Sequence, residues 1–417
     1  MNKTEKNRQR NAGRTEECFA ARGFARARRG AFAFLIRAAL IITLAALACG
    51  LCETSVAKSS EKGMQASILG RVFIVNTGSG TVSVVDESTG MLVATIPVGD
   101  SPIRMITDKS GRNAYVSNFR SASISVINTA TLTVTATIPV PDSPQESDLT
   151  IDGTRLFVVH HPIQVVSVID LATNTVLTVV PIGDMNARGQ TATDILFTPN
   201  GRSCYVPNYS RNVVDVIDTT TYAVTEVPTD RQPRRLAITG DGKRVFVTNF
   251  TGDSVTAIDT DTLAVLATIH TGNAPRGIAV RPQAHEVYVT NVDEGTVSII
   301  STDTLTVLKK ITVGLKPWNV LFNRDGSVAI ISATGSDTVC VIDTATQAVI
   351  KTIRAGNGPF FSVYNKDEST LYVSNAGENH AFEIGSLSTI DTATYRVTST
   401  VPLEEQPFEL VYVPPRR

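Results

Sequence analysis

From Arg71 onward the chain repeats one rhythm of short apolar runs separated by polar punctuation. One period reads RGIAV from Arg276, EVYVTN from Glu286, TVSII from Thr296 and TVLKKITV from Thr306, with Gly-, Asn-, Asp- and Thr-rich turns between. Runs of four to eight residues bounded by such turn signals predict strands. The runs are apolar on both faces, which predicts strands covered on both sides.

The second run and its sequel recur eight times, starting at Arg71, Asn113, Arg155, Ser203, Arg244, Glu286, Val328 and Leu371. A marker position ends the second run of each copy: Asn76, Asn118, His160, Asn208, Asn249, Asn291, Ala333 and Asn375. The markers are 42, 42, 48, 41, 42, 42 and 42 residues apart. Four strands per period make a four-stranded antiparallel blade that cannot bury its two faces alone, and packing blades around an axis solves this. The expected fold is an all-β propeller of eight blades, with seven as the alternative if one copy packs outside the ring. The first copy begins at its second strand, Arg71, and the chain ends on an unaccompanied first strand, Phe408 to Val413. Pairing these ends would close the ring and leave no open sheet edge.

The phrase Tyr288-Val289-Thr290-Asn291, with FVTN at Phe246, YVSN at Tyr115 and Tyr372 and YVPN at Tyr205, resembles the YVTN β-propeller repeat proteins. The resemblance covers residues 71 to 413 and implies an exported or surface propeller of bacteria or archaea, most often seven-bladed. It implies no particular activity. The Gly-His and Trp-Asp signals of WD40 propellers are absent.

Composition changes the picture only at the N-terminus. The first 57 residues hold ten of the 38 Lys and Arg and four of the 39 Asp and Glu, with an apolar run from Ala38 to Ala48. That run is too short to span a bilayer and fits the core of a signal peptide. The expected organisation is a cleaved leader over 1–57, a linker over 58–70 and one propeller over 71–417, exported to the periplasm or cell surface. Cleavage after Ala48 and after Ala57 both fit. Lipidation at Cys49 is the less favoured route, because Ala46 stands where lipoprotein signals carry Leu. Without the leader, 28 basic face 35 acidic side chains, an acidic balance that argues against general nucleic-acid or anionic-membrane binding. Cys204 and Cys340 fall in separate strands and read as small buried hydrophobes.

The recurring acid at Asp86, Asp170, Asp218, Asp259, Asp343 and Asp391 precedes a Thr-rich hairpin, where Asp accepts backbone N–H groups; it reads as a turn residue. The marker Asn reads likewise as a side-chain-capped turn. His160-His161, His270, His285 and His380 show no metal-ligand spacing. Nucleophile-elbow, phosphate-loop and paired-carboxylate motifs are missing.

Function is sought where the copies disagree. Two insertions, Asp184 to Thr193 and Ala376 to Ile384, fall in loops that share one face with the Pro-led entries to each first strand. The two residues after each Pro line the channel mouth there. They place Arg104, Arg234, Arg235 and Arg276 in one sector and Trp318, Phe360 and Phe408 in the next, with Glu146, Asp194 and Glu409 as the acids. For these arginines and aromatics, ligand binding and packing between blades both stay open. The leading expectation is an exported, monomeric, non-catalytic binding module for an anionic or planar envelope or extracellular partner, such as a glycan or peptide, with no cofactor and no metal. The alternatives are a single-stranded nucleic-acid binder, since Arg beside Trp and Phe suits stacked bases, and a lactonase- or dehydrogenase-like propeller enzyme.

Overall fold

In a computed structural model of the protein, residues 70–184, 193–377 and 383–416 are described. The leader, its cleavage sites, Cys49 and nearly all of the linker lie outside these, as do His380 and most of both insertions. Thirty-two strands form eight four-stranded antiparallel sheets, and a short 3-10 turn at Thr334–Ser336 is the one helical element among the described residues. None of their helices is long and apolar enough to cross a membrane.

We letter the strands of each blade A to D from the axis outward. Blade 1 takes its A strand (Pro407–Val413) from the C-terminus and B, C and D (Arg71–Asn76, Thr81–Asp86, Leu92–Pro97) from the start of the repeat region. The closing pair runs Arg71↔Val413, Phe73↔Val411 and Ile74↔Leu410. Blades 2 to 8 follow in chain order. Their A strands are Pro102–Thr107, Pro144–Leu149, Leu196–Phe197, Pro233–Ile238, Pro275–Val280, Pro317–Phe322 and Pro359–Tyr364.

Eight apolar clusters hold the ring, and each joins a blade to its successor. Phe73 and Val84 meet Met105 and Val116 between blades 1 and 2, and Tyr372 and Leu387 meet Val72 and Ile74 between blades 8 and 1. The interface between blades 7 and 8, built on Ile330 and Leu371, is as complete as the rest, so no copy packs outside the ring. That decides for eight blades over seven. B and C strands are buried on both faces, whereas D strands such as Thr133–Pro139 alternate exposed and half-buried positions because their outer edge meets solvent.

The repeated phrase resolves into separate tasks. Its aromatic is core: Phe73, Tyr115, Phe157, Tyr205, Phe246 and Tyr288 each sit in a blade interface. The marker Asn is a buried cross-strand clamp, where a capped turn was expected. Asn291 Nδ2 donates to Thr296 and Ser298 on strand C, both at 2.9 Å, while its Oδ1 accepts Gly272 N–H at 3.0 Å. His160 takes over this work through Asp142 O and Ser167 Oγ. At Ala333 the clamp is lost, and Cys340 Sγ bonds Val313 O instead, so this buried thiol is more than a filler. The hairpin acids behave as expected. Asp259 Oδ1, for example, accepts Asp261 and Thr262 N–H at 3.2 and 2.8 Å, and the hydroxyl and amide bonds of Thr262 hold its pKa below the ordinary value.

Candidate functional site

In seven of the eight blades, all but blade 4, the A strand begins with a residue pair that breaks the register against strand B. In blades 2, 3 and 7 the shift falls between Pro102 and Arg104, Pro144 and Glu146, and Pro317 and Asn319. In blades 5, 6 and 8 it runs from Pro233 to Leu236, Pro275 to Ile278 and Pro359 to Ser362. Proline suits the opening position because no ladder N–H is required there, and the bulge re-aims the two side chains after it. The pattern therefore puts two tiers of variable residues at the channel.

The lower tier carries the charges. Arg104 Nε lies 2.7 Å from Glu146 Oε2, and Arg235 Nη1 lies 3.2 Å from both Glu146 Oε2 and Asp194 Oδ1. Glu409 Oε2 accepts Met105 N–H at 2.8 Å, and Asp194 Oδ2 accepts Leu236 N–H at 2.8 Å, so each acid also ties one blade to the next. Gly277, Asn319 and Phe361 complete this tier without charge. Gly277 is held to glycine by space: a Cβ would stand 2.4 Å from Trp318 O. Burial pushes Glu409 up to about 7 against the pull of Arg104. Burial likewise lifts Asp194 to about 6 in spite of Arg235. Asp148, two residues beyond Glu146, rises to about 7 through burial, with Glu146 and Asp194 adding repulsion.

These shifts predict a pH dependence. A carboxyl whose pKa rises on folding binds more protons folded than unfolded, so its contribution is full below about pH 4 and is lost as pH rises through about 7. His160, whose burial lowers its pKa to about 4, acts in the opposite sense up to its ordinary 6.5. Comparing the wild type with Asp148→Asn cancels that histidine. The fall in melting temperature from pH 5 to pH 8 should be larger in the wild type, and equal falls would refute the assignment.

The upper tier is aromatic and cationic. Arg276 Cζ stands 3.4 Å from the Trp318 ring centroid. Trp318 packs on Phe360 at 4.4 Å, and Phe360 on Phe408 at 4.6 Å. Arg104 reaches up to the far end, 5.0 Å from the rings of both Phe361 and Phe408. Arg234 is shelved on Phe250 and Tyr209, at 4.7 and 5.3 Å. The result is one row across five consecutive blades: Arg276, Trp318, Phe360, Phe408, Arg104. Phe360 is wholly buried within it, while Trp318, Phe408 and Arg276 keep partial exposure.

Hydroxyls from the repeated phrase pin the backbone of this row. Thr248 Oγ1 accepts Arg235 N–H and donates to Arg276 O, at 3.1 and 3.2 Å. Thr290 Oγ1 accepts Gly277 N–H at 2.8 Å and lies 3.4 Å from Trp318 O. Ser374 Oγ accepts Phe361 N–H at 3.2 Å and donates to Phe408 O at 2.6 Å. The sequence reading had assigned these hydroxyls no role. Their signal is the third letter of the phrase, Thr or Ser in blades 5, 6 and 8 but Val or Pro in blades 1, 3 and 4. Ser117 and Ser332 share the position without a hydrogen-bond partner.

All seven residues singled out from the sequence lie in the first three positions of A strands. Arg104 and Arg235 enter the ion-pair tier, Arg234 and Arg276 lie on aromatic shelves, and Trp318, Phe360 and Phe408 stack in the row. Asp148 was overlooked; its signal is an acid in the middle of an A strand. Among the described residues no three His, Cys, Asp or Glu converge as a metal set. Of the histidines, His160 has both ring nitrogens engaged, His285 pairs with Asp303 on the opposite face, and His270 ends an outer D strand. His161 lies in a B–C loop of blade 3, its ring 6.0 Å from Phe119, off the row.

The model of the cytochrome D1 heme domain family matches residues 61–366. Among solved structures, the dihydro-heme d1 dehydrogenase NirN in complex with DHE is similar with a TM-score of 0.71 at 15% identity, over 82% of this chain and 74% of that one. Periplasmic gluconolactonase PpgL of Pseudomonas aeruginosa gives 0.56 at 16% identity, over 82% and 99%. Hydrazine synthase of Kuenenia stuttgartiensis gives 0.55 at 21%, over 70% and 96%. At these identities the structures show the fold alone. No curated protein matches the chain. The family match corrects the leading expectation of a non-catalytic interaction module, because the family is that of a heme domain. Of the readings weighed, the alternative of a propeller enzyme agrees with it better, and a heme-related ligand was not among the partners expected. The YVTN-like phrase indicated the propeller, but the family that matches is a different one.

Proposed function

The chain belongs to the cytochrome D1 heme domain family, and from that premise we propose that it is a dehydrogenase-like propeller taking a carboxylated tetrapyrrole of the heme d1 class at its channel mouth. The observation that carries this is the row itself: a guanidinium stacked on Trp318 at one end, packed rings in the middle and Arg104 at the other end. A macrocycle offers a broad apolar plane and anionic edges, and aromatic faces with arginines match both.

The organic part of the group fits: Arg276 and Arg234 are placed to receive carboxylates, Trp318 and Phe408 to cover the plane, and Phe360 and Phe361 to exclude water beneath it. Its iron does not fit the channel, since the described residues of both tiers include no His, Cys or Met to ligate it. No step is therefore derived through a metal. When bound, the group would supply a conjugated system that exchanges electrons together with protons. Beneath it, Glu409 and Asp148 can hold a proton near neutrality, because burial raises both to about 7. The basic leader with its apolar run supports export of this propeller.

Absorbance titration of the purified protein with an iron tetrapyrrole is the test. Saturable one-to-one binding that weakens about tenfold in Arg276→Ala is expected, the loss of one charge-assisted bond. Absence of saturable binding would overturn the reading.

A further inference from the structure

Arg104 is 6% exposed and holds an incomplete set of bonds. Its Nε is bonded to Glu146 at 2.7 Å, but its buried Nη1 has no hydrogen-bond partner. The nearest carboxylate oxygen there, Glu409 Oε1, stands 4.0 Å away, beyond bonding reach. The other oxygen of that acid is committed to Met105 N–H. A guanidinium N–H can be satisfied only by an acceptor, and leaving one buried and unbonded is costly. Phe361 and Phe408, the two rings against this guanidinium, are themselves partly exposed. The geometry therefore describes a donor at the floor of the mouth, closing the end of the aromatic row opposite Arg276.

We infer that the mouth recognises its macrocycle from two ends, one carboxylate at Arg276 and one at Arg104 across the Trp318–Phe360–Phe408 row, independently of any central metal. This rests on the tetrapyrrole reading and specifies it. The row supplies the plane, and the two guanidiniums set the separation of the anionic groups. Under the Arg276–Trp318 end of the row, Gly277 and Asn319 place no charge. Among the described residues the donor set gives the metal no bond, since His160 is engaged through both nitrogens and His161 lies off the row. Metal-free and iron-loaded macrocycles should then bind alike, and blocking the carboxylates should abolish the preference.

Trp318 is the sole tryptophan, so its fluorescence reports occupancy directly. The probes are coproporphyrin I, which carries a propionate on each of its four pyrroles, its iron complex and its tetramethyl ester, titrated into the full-length protein. The free acid and iron complex are expected to bind within about threefold of each other and the ester about a hundredfold more weakly, two charge-assisted bonds at about tenfold each. Arg104→Gln should weaken the acid about tenfold and leave the ester unchanged; Arg104→Lys, which keeps the charge, should lose less. An iron complex more than about tenfold tighter than the free acid would overturn this inference while leaving the proposed function standing. So would an ester as tight as the acid, or an Arg104→Gln variant that weakens acid and ester equally. If none of the three quenches Trp318, the proposed function falls with it.

Discussion

Deleting Pro407 to Arg417 is expected to leave no cooperatively folding propeller. Those residues supply strand A of blade 1, paired with Arg71–Asn76 along its whole length. They also place Leu410 in the cluster against blade 8 and Val413 in the cluster against blade 2. Without them the B strand of blade 1 becomes an open edge facing the channel, and two of the eight blade interfaces lose their inner residues. Glu409 goes as well, and with it the bond that ties blade 1 to Met105 of blade 2. Size-exclusion chromatography and a thermal melt followed by circular dichroism should show aggregation and a broad, shallow transition. A truncated protein that melts sharply within a few degrees of the wild type would show that the terminal strand is not what closes the ring.

The second large effect is expected at Phe360. Its ring is fully buried between Trp318, Phe361 and Phe408, so Phe360→Ala removes contacts on several sides in a place where blades 7, 8 and 1 meet. Such truncations cost about 3–5 kcal/mol. The urea midpoint should fall accordingly, and Phe360→Leu, which refills part of the space, should recover much of the loss. A cost below about 1 kcal/mol would mean that the row is not packed as a unit. The measurement also separates two roles that the sequence leaves together: Phe360 acts as a shelf, while Trp318 and Phe408, partly exposed on either side of it, are the rings a ligand can touch.

The period of the repeat and its orphan final strand were enough to predict blades, their strand order and the closure, because strand and turn chemistry is local and each copy reports it again. The hairpin acids were legible for the same reason, since an Asp that accepts N–H groups two and three residues on is a local event. The marker Asn was misread as another such turn. Its partners, Ser298 seven residues on in the next strand and Gly272 nineteen residues back in the preceding loop, meet it only once the strands pair, so nothing directly beside Asn291 announces them.

The mouth residues were also found by register: a Pro, then two variable positions. That Arg104, Arg234, Arg235, Arg276, Trp318, Phe360 and Phe408 head the A strands of their blades follows from the repeat alone. Which of the arginines face a carboxylate and which lie on a ring could not be read from it. The choice depends on what the neighbouring blades present across the channel: Glu146 stands between Arg104 and Arg235, while Trp318 stands beside Arg276. The raised pKa of Asp148 is equally a property of the closed ring, since it needs burial together with Glu146 and Asp194.

What the sequence determined by itself, then, is everything that repeats: strand, turn, blade and ring. The tertiary structure alone decided what happens where the copies differ, because eight unlike residues brought to one axis interact by distance and burial, and neither quantity is written in the order of the chain.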